Sequence, residues 1–214
     1  MHVVIAGGHG KIALLLERLL ADRGDRAVGI VRNPDHVADV EAAGAEALVL
    51  DLERTGVEEL AGALDGADAV VFAAGGGPGS GAARKETVDK GAAILLADAA
   101  ERAGVRRYVM VSSMGTEQAD PTSDDVFQVY LRAKQAADDD LRARDLDWTV
   151  VRPGRLTDDP GTGRVRVGTL ERGEIPRADV AAVLAGCLDS PTTVGRTFDV
   201  LAGDVPVGDA LAGL

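Results

Sequence analysis

A tyrosine and a lysine four residues apart are the residues of this sequence best suited to acid–base chemistry. Tyr130 begins and Lys134 ends the stretch YLRAK, and in a helix this spacing stacks both side chains on one face. A tyrosine with an ordinary pKa of about 10 exchanges protons poorly at neutral pH, but a neighbouring ammonium favours its phenolate form. The pair therefore predicts proton transfer to or from an oxygen atom. The same spacing is also typical of a half-buried tyrosine beside a solvated lysine.

Two serines precede this pair at the end of an apolar stretch. Ser112 and Ser113 end VMVSS, which is typical of a buried strand. Ligands of open α/β sheets bind beyond the carboxyl ends of the strands, so a serine hydroxyl there can hold the oxygen on which Tyr130 acts. With this strand before it and the stretch VVRPG after it, the Tyr–Lys spacing becomes a much more specific pattern.

A glycine-rich stretch, GGHGKIA, occupies residues 7–13, directly before an amphipathic segment. Glycines at this place permit a sharp strand-to-helix turn and let the backbone approach a pyrophosphate, which the freed N–H groups and the helix N-terminus then hold. Gly7, Gly10 and Ala13 have the spacing G-x-x-G-x-x-A. The stretch predicts a dinucleotide site; the alternative is a tight structural turn.

The end of the second strand indicates which dinucleotide is bound. Proteins that bind NAD carry a carboxylate about 20 residues past the glycines, whereas this chain has Arg32 in VRNP and no acid before Asp35. An arginine can bind a 2′-phosphate through charge-assisted hydrogen bonds, and Lys11 and His9 can add positive charge. NADP(H) is therefore favoured over NAD(H), and the alternative is that Arg32 is an ordinary solvated arginine.

Two later loops fit the same site. Asp51, after the third strand, can accept a hydrogen bond from an adenine amino group; alternatively it caps a helix, a position that acids favour. The stretch AAGGG, Ala73 to Gly77, follows the fourth strand. Its small residues let a ribose lie against the backbone, and the alternative is a flexible loop.

Short β-branched runs alternate with longer Ala- and Leu-rich segments along the chain, which is the signature of βαβ units. Strands are predicted at residues 2–6, 26–31, 47–50, 69–73, 108–112, 148–152 and 198–201, with a hairpin around 164–167. Helices are predicted at residues 11–23, 34–43, 57–64, 84–103, 125–144 and 178–188. The buried face of the first helix is expected to consist of Ile12, Leu15, Leu16, Leu19 and Leu20. We therefore predict an α/β protein with a Rossmann-type doubly wound, mainly parallel sheet, helices on both faces and one domain over residues 1–214.

Composition and charge exclude several kinds of partner. The 214 residues include 23 basic and 35 acidic side chains, a formal net charge of −12, which argues against nucleic acid or an anionic membrane surface as a partner. One cysteine and three histidines argue against a disulfide framework and a metal site. No apolar run is long enough to span a membrane and no leader segment is evident, so a cytoplasmic location is expected.

Together these motifs resemble those of short-chain dehydrogenases/reductases, in the atypical branch that is similar to NAD(P)-dependent sugar epimerases but lacks their large C-terminal substrate domain. The resemblance covers nearly the whole chain. It implies an NADP(H)-dependent oxidoreductase that moves hydride to or from a small carbonyl or alcohol substrate, with minimal substrate-side elements within about residues 153–214. The catalytic residues it implies are Tyr130, Lys134 and Ser113, with Ser112 the less favoured serine. The cofactor contacts are expected to be Gly7, His9, Gly10, Lys11, Ile12, Arg32, Asn33, Asp51, Leu52, Ala73, Ala74, Gly75, Ser112, Lys134, Pro153 and Gly154.

Two features depart from the family's pattern. The glycine turn ends in Ala13, and the asparagine usual in the helix before the fifth strand has no counterpart in TVDKGAAILL, where Asp89 or Lys90 lies nearby. Two other functions stay open. One is a non-catalytic NADP(H)-binding redox sensor that reports to a protein partner; the other is epimerase chemistry on a sugar nucleotide.

The loops 75–81 and 114–124 flank the predicted site. We expect them to form the substrate wall, with Asp120, Asp124 and Asp125 disfavouring highly anionic substrates.

Three remaining features have ordinary structural explanations. Cys187 is expected to be a small core thiol and Trp148 a packing residue. The acidic run 138–140 is expected to face solvent.

Overall fold

The computed structural model describes residues 1–77 and 79–214 as alternating strands and helices. The strands are β1 (His2–Ala6), β2 (Arg26–Val31), β3 (Glu46–Val49), β4 (Ala69–Phe72), β5 (Arg107–Val111), β6 (Asp147–Pro153), β7 (Arg155–Thr157), β8 (Arg164–Gly168), β9 (Glu174–Pro176), β10 (Arg196–Ala202) and β11 (Val205–Pro206). The α-helices are α1 (Lys11–Asp22), α2 (Val37–Ala42), α3 (Val57–Ala63), α4 (Ala82–Arg84), α5 (Ala93–Ala103), α6 (Val126–Arg142), α7 (Arg177–Asp189) and α8 (Val207–Ala212). A π-helical segment, Lys85–Ala92, joins α4 to α5, and 3-10 turns lie at Pro34–His36, Thr116–Gln118 and Pro191–Thr193. Pro78, in the predicted loop 75–81, lies outside the described residues.

A nine-stranded sheet runs through the molecule in the order β11-β8-β10-β6-β5-β4-β1-β2-β3. The strands from β3 to β10 in this order are parallel, while β8 and β11 add antiparallel pairings at one edge. The connection order reverses between β1 and β4, and doubly wound sheets bind ligands at the carboxyl edge beside such a reversal. The predicted fold class is confirmed.

Helices cover both faces of the sheet, as a buried parallel sheet requires. Because side chains alternate along a strand, Val3 and Ile5 of β1 pack in the layer with α1 and α7, while Val4 and Ala6 pack in the layer with α3 and α5. Each central strand is therefore apolar on both faces, which explains its unbroken hydrophobic sequence.

The buried face of α1 is rotated from the predicted one. Its buried residues are Ala13, Leu16, Glu17 and Leu20, a stripe with the i, i+3, i+4, i+7 spacing of a helix face. Leu19 is exposed instead. The stripe thus includes a glutamate that the hydrophobic pattern left out.

The C-terminal region is where the predicted elements differ most from the structure. The strand around 164–167 exists, but the predicted hairpin is wrong, because β8 pairs antiparallel with the distant β10. Strands β7 and β9 form a separate parallel pair, and each has only three residues, too few for an alternating pattern to be recognised. Helix α8 and strand β11 were also not predicted.

Two side chains take the structural places expected of them. Cys187 is fully buried in α7, and burial raises the pKa of its thiol to about 12. Trp148 is partly buried against the core layer of α3 and α5. Among the helices of the described residues, none is long and apolar enough to cross a membrane.

Candidate functional site

The glycine turn between β1 and α1 lies directly against the end of β4. Gly7 has a φ of +85°, and a Cβ at this position would lie 2.6 Å from the Cα of Ala74, so only glycine fits. The N–H groups of Gly7 and Gly8 donate to the carbonyl of Ile30 at 3.2 and 2.9 Å, which fixes the turn to β2. Within residues 1–77 and 79–214, no side chain caps the N-terminus of α1, and its first N–H groups are therefore available to an anion. These features fit the pyrophosphate of a dinucleotide.

Two clefts open at the carboxyl edge of the sheet and share residues at the end of β4. The first has a volume of about 530 Å³ and the second about 690 Å³. The shared residues are Ala73, Ala74, Gly75 and Gly77, so the two clefts form one continuous groove. The first is bounded by the glycine turn and the ends of β2 and β3, and we call it the dinucleotide cleft. The second is bounded by β5, α6 and the β6–β7 junction, and we call it the reaction cleft.

The structure brings nearly all the predicted cofactor contacts to this groove. The dinucleotide cleft is lined by Gly7, His9, Gly10, Arg32, Asn33, Asp51, Leu52, Ala73, Ala74 and Gly75. The reaction cleft adds Ile12, Ser112, Lys134, Pro153 and Gly154. Lys11 lies apart from both, with its Nζ donating to Asp158 Oδ2 at 2.6 Å.

The dinucleotide cleft carries more cationic groups than the sequence pattern indicated. Nη1 of Arg32 and Nη2 of Arg84 each lie 3.1 Å from the same Glu53 Oε2, so two guanidiniums share one carboxylate. His9 stacks on His36 with ring centroids 3.5 Å apart. Arg84 was not predicted, because it lies on α4 after the glycine loop rather than at the end of β2.

Asp51 does not cap a helix. Helix α3 has Gly56 at its N-cap position, while Asp51 Oδ1 accepts from the N–H of Glu53 at 3.1 Å. The carboxylate thus closes a local turn at the wall of the dinucleotide cleft.

Tyr130 and Ser113 both line the reaction cleft, where Ser113 Oγ donates to Met114 O at 3.3 Å. Burial raises the pKa of Tyr130 to about 12, and the neighbouring hydroxyl of Ser113 acts in the opposite direction. The nearby carboxylates of Asp89 and Asp138 raise this pKa further. Lys134 is not among the groups that shift this pKa. The expected phenolate depends on Lys134 together with an oxidised nicotinamide, and it stays a prediction.

Lys134 is directed at backbone oxygens. Its buried ammonium donates to Val111 O at 3.1 Å and to Ala74 O at 3.5 Å, and it lies 3.6 Å from Asp89 Oδ1. Burial lowers the pKa of Lys134, and the charge of Asp89 opposes that shift. Lys134 therefore fastens the ends of β4 and β5 together beneath the cleft.

Asp89 is buried at the place where the family's pattern has an asparagine. Its Oδ2 accepts from the N–H of Gly76 at 2.9 Å, and its carboxylate also approaches Lys134 and, at 3.9 Å, Lys85. Lys90, the other residue near that place, pairs with Glu86 at the surface. Lys85 and Asp89 lie on the π-helical segment, a distortion that often marks functional sites. Lys85 was not predicted.

The two serines after β5 differ because one of them, Ser112, binds the buried carboxylate of Asp138. Ser112 Oγ donates to Asp138 Oδ2 at 2.9 Å, and Arg152 Nε donates to the same oxygen at 3.0 Å. Asp138 has no exposed surface, so the prediction that the whole run 138–140 faces solvent is wrong. The sequence could have indicated its burial, because Asp138 lies four residues after Lys134, which lies four residues after Tyr130. This spacing puts all three side chains on one helix face. With Ser112 turned to Asp138, Ser113 is the serine beside Tyr130.

The outer wall of the reaction cleft differs from the predicted one. The loop 75–81 contributes Gly75, Gly77, Gly79 and Ser80. The described lining includes no residue of the loop 114–124; Val126 and Phe127, in the first turn of α6, lie there instead. The expected influence of Asp120, Asp124 and Asp125 on substrate charge loses its basis, because none of them lines the cleft.

Comparison with known proteins agrees with this geometry. A family model described as NAD(P)H-binding matches residues 7–191, a range that runs from the glycine turn to just past the end of α7. The chain belongs to this NAD(P)H-binding family. Its fold and motifs are those of an atypical short-chain dehydrogenase/reductase.

Several relatives match over their whole length. The chain is 38% identical over 213 residues to YhfK of Bacillus subtilis, named an uncharacterized sugar epimerase, and covers 99% of both chains. A Bacillus halodurans structure described as an NAD-dependent epimerase/dehydratase is 38% identical, with a TM-score of 0.92 and full coverage of both chains. The Lactococcus lactis oxidoreductase ylbE is 26% identical, with a TM-score of 0.89, covering 100% of this chain and 96% of that one.

Proposed function

We propose that this protein is an NADP(H)-dependent oxidoreductase that transfers hydride to or from a small carbonyl or alcohol substrate. The observation that carries the proposal is that Ser113 and Tyr130 line one cleft, which is continuous with the dinucleotide cleft. A proton donor would then face the oxygen of a substrate carbonyl group, and a nicotinamide would face its carbon. Carbonyl reduction requires this arrangement.

Each part of the dinucleotide has candidate binding residues in the groove. The glycine turn and the N-terminus of α1 would hold the pyrophosphate, and Arg32 and Arg84 would hold the 2′-phosphate through charge-assisted hydrogen bonds. Asp51 would contact the adenine, and Ala73 and Ala74 would leave room for a ribose. The sharing of Glu53 by two guanidiniums supports NADP(H) over NAD(H), because a phosphate supplies the negative charge that this pair lacks.

Tyr130 is suited to donate the proton. Because its pKa is raised to about 12, the phenol is neutral at pH 7 and can protonate an alkoxide as it forms. When bound, NADPH would supply the hydride, with its two electrons, that the carbonyl carbon takes up. Ser113 holds the carbonyl oxygen, which takes the proton of Tyr130 and leaves an alcohol. Lys134 keeps the ends of β4 and β5 together beneath the cleft, where it would hold the nicotinamide ribose.

Epimerase chemistry is a second candidate, favoured by the names of the two Bacillus relatives. It would use the same groove, with hydride removed from a sugar carbon and returned to its other face. Incubation with NAD(P)⁺ and UDP-glucose or UDP-galactose, followed by chromatography, tests it directly: interconversion of the two would support an epimerase and contradict a simple reductase.

A panel of aldehydes and ketones, followed by loss of NADPH absorbance, tests the reductase. We expect turnover by the wild type and a loss of at least about 100-fold in Tyr130→Phe, the size expected for a missing general acid. The matched control is Tyr108→Phe, which removes the other tyrosine hydroxyl, a buried group bonded to Ala93 O at 3.1 Å. Equal turnover by Tyr130→Phe and the wild type would remove Tyr130 from the mechanism.

A further inference from the structure

The floor of the reaction cleft holds two ammonium groups and one carboxylate. Lys85 Nζ lies 3.9 Å and Lys134 Nζ 3.6 Å from the oxygens of Asp89, and all three side chains are buried. The neighbouring Arg152 is shared by two carboxylates, those of Asp138 at 2.9 Å and Glu117 at 2.7 Å. Directly at the cleft floor, two ammonium groups share the single carboxylate of Asp89. A buried ammonium that shares its counter-charge gains from a further anion bound beside it.

The two lysines differ in how their N–H groups are used. Lys134 has two backbone acceptors and the Asp89 carboxylate around it. An ammonium has three donors, and among the described residues Lys85 has one hydrogen-bond acceptor, Gly77 O at 3.1 Å. Lys85 also lines the reaction cleft, with its Nζ 5.3 Å from the centre of the Tyr130 ring. It is thus the cation with capacity to bind a ligand group beside the reacting atoms.

A third cationic side chain of the cleft, Arg177, is already paired. Arg177 Nη1 donates to Asp158 Oδ1 at 2.6 Å, and Lys11 binds the other oxygen of the same carboxylate. An anion entering the cleft would have to displace Asp158 to reach Arg177, whereas no such displacement is needed at Lys85.

Part of the lining of the reaction cleft is apolar. Val126 and Phe127 are exposed large hydrophobic residues, 44% and 54% accessible, and both line the cleft together with Ile12 and Leu156. The Phe127 and Tyr130 rings lie 6.0 Å apart at 29°, which leaves an aromatic surface beside the catalytic phenol. A substrate that covers these apolar side chains needs an apolar or aromatic body.

We infer that Lys85 is a substrate-binding residue that holds a carboxylate, and that the substrate is a carbonyl compound with an apolar body and a carboxylate. This inference rests on the proposed function, since Ser113 and Tyr130 take the carbonyl at the same time. Lys85 makes the charge-assisted contact, and the first turn of α6 covers the body of the molecule. The inference replaces the sequence-based expectation that the cleft disfavours anions.

A purely structural role for Lys85 predicts different behaviour. If its ammonium only held the loop at Gly77, replacing Lys85 would weaken the binding of all substrates to the same extent. A carboxylate-binding lysine instead affects only substrates that carry the carboxylate, and arginine in its place preserves the charge. The comparison of a charged and an uncharged probe of the same shape separates the two.

The test uses 4-carboxybenzaldehyde and its methyl ester, methyl 4-formylbenzoate, titrated by calorimetry into the full-length protein with saturating NADP⁺. We expect the wild type to bind the acid at least about tenfold more tightly than the ester, the effect of one hydrogen bond to a charged group. Lys85→Met should abolish this preference and leave ester binding unchanged, while Lys85→Arg should retain it. Lys90→Met, which removes a surface lysine of the same π-helical segment, should behave as the wild type.

Equal binding of the acid and the ester by the wild type would overturn the inference without any variant. A preference that survives in Lys85→Met would overturn it too. The proposed function fails separately: binding of the acid with the expected preference, but no reduction of either aldehyde by NADPH, would contradict the reductase and leave the carboxylate site standing. Reduction of both aldehydes at equal KM would contradict the Lys85 site and leave the reductase standing.

Discussion

Among single residues, burial governs the proton affinity of the two tyrosines. Burial raises the pKa of Tyr130 to about 12 and that of Tyr108 well above its usual value. Both phenols should therefore stay protonated as pH rises through 10, where a free tyrosine ionises. Ultraviolet titration of the protein without added cofactor should show no tyrosinate absorbance at pH 10, with Tyr130→Phe as the control that assigns any signal. A wild-type midpoint near pH 10 that Tyr130→Phe removes would contradict this.

Arg32 should determine the preference for NADPH. Arg32→Ala should weaken the binding of NADPH by about 1.5–3 kcal/mol, the range for a lost hydrogen bond to a charged group. It should weaken the binding of NADH much less, because NADH has no 2′-phosphate. Calorimetric titration with both cofactors measures the difference. Arg102→Ala, which removes an exposed arginine paired with Glu58, is the control. Equal losses for the two cofactors would show that Arg32 does not bind the phosphate.

The sequence identified the site residues better than it identified their partners. Ser113 and Tyr130 could be named from VSS and YLRAK because short local patterns carry them. The choice between Ser112 and Ser113 depends on the hydrogen bond from Ser112 to Asp138 of α6. The burial of Asp138 depends in turn on Arg152, which lies on β6. Contacts between distant segments of this kind leave no local pattern.

Within the elements, two glycines of the first turn should respond differently to substitution. Gly10 has an ordinary φ of −65°, and its Cβ would lie 3.1 Å from Gly7 O, a tight but tolerable contact. Gly10→Val should thus keep a native circular dichroism spectrum and lose dinucleotide binding, since its side chain would occupy the pyrophosphate position. Retained micromolar binding would exclude this turn as the phosphate site.

Gly7→Ala should instead destabilise the fold. It combines a left-handed backbone with a clash against Ala74, so its cost should exceed the roughly 1–2 kcal/mol of the left-handed conformation alone. Gly24→Ala is the matched control, because Gly24 has a similar φ of +82° and nothing within 4 Å of its Cβ position. Urea unfolding measures how much each variant lowers the free energy of unfolding. Equal decreases in the two variants would show that the clash with Ala74 is relieved.

For the molecule as a whole, Glu17 should make stability depend on pH. Both carboxyl oxygens of Glu17 are buried without hydrogen-bond partners among the described residues, and burial raises its pKa from 4.5 to about 8. As pH rises from 4.5 to 8, the unfolded chain releases this proton while the folded protein keeps it, so the free energy of unfolding falls by roughly 1.4 kcal/mol per pH unit. Below pH 4.5 both states are protonated, and the cost disappears.

Glu17→Gln should remove this slope. Urea unfolding at several pH values should show the variant gaining stability relative to the wild type between pH 5 and pH 8. Glu41→Gln, a change at an exposed glutamate of α2, is the control and should follow the wild type. A constant difference between Glu17→Gln and the wild type across this range would contradict the raised pKa.

The N-terminal two thirds of the fold could be predicted from sequence, and the last third only partly. The strands β1, β2, β4, β5 and β6 are largely buried, whereas the edge strand β3 is partly exposed. Amphipathic helices separate these strands, so composition and periodicity indicate them directly. By contrast, β8 pairs with β10 across some thirty intervening residues, and β7 and β9 are too short to show a pattern. This last third also supplies Leu156 and Arg177 to the reaction cleft, which is why that wall was the least predictable part of the site.

The central claim is that hydride passes between a nicotinamide and a carbonyl carbon beside Tyr130. Reduction of 4-carboxybenzaldehyde with NADPH deuterated at the transferring C4 position, followed by mass spectrometry of the alcohol, tests it most directly. We predict one deuterium on the carbinol carbon of the wild-type product, and at least about 100-fold less labelled product from Tyr130→Phe in the same time. Tight NADPH binding with no deuterium transferred, or equal labelling by the wild type and Tyr130→Phe, would contradict the account.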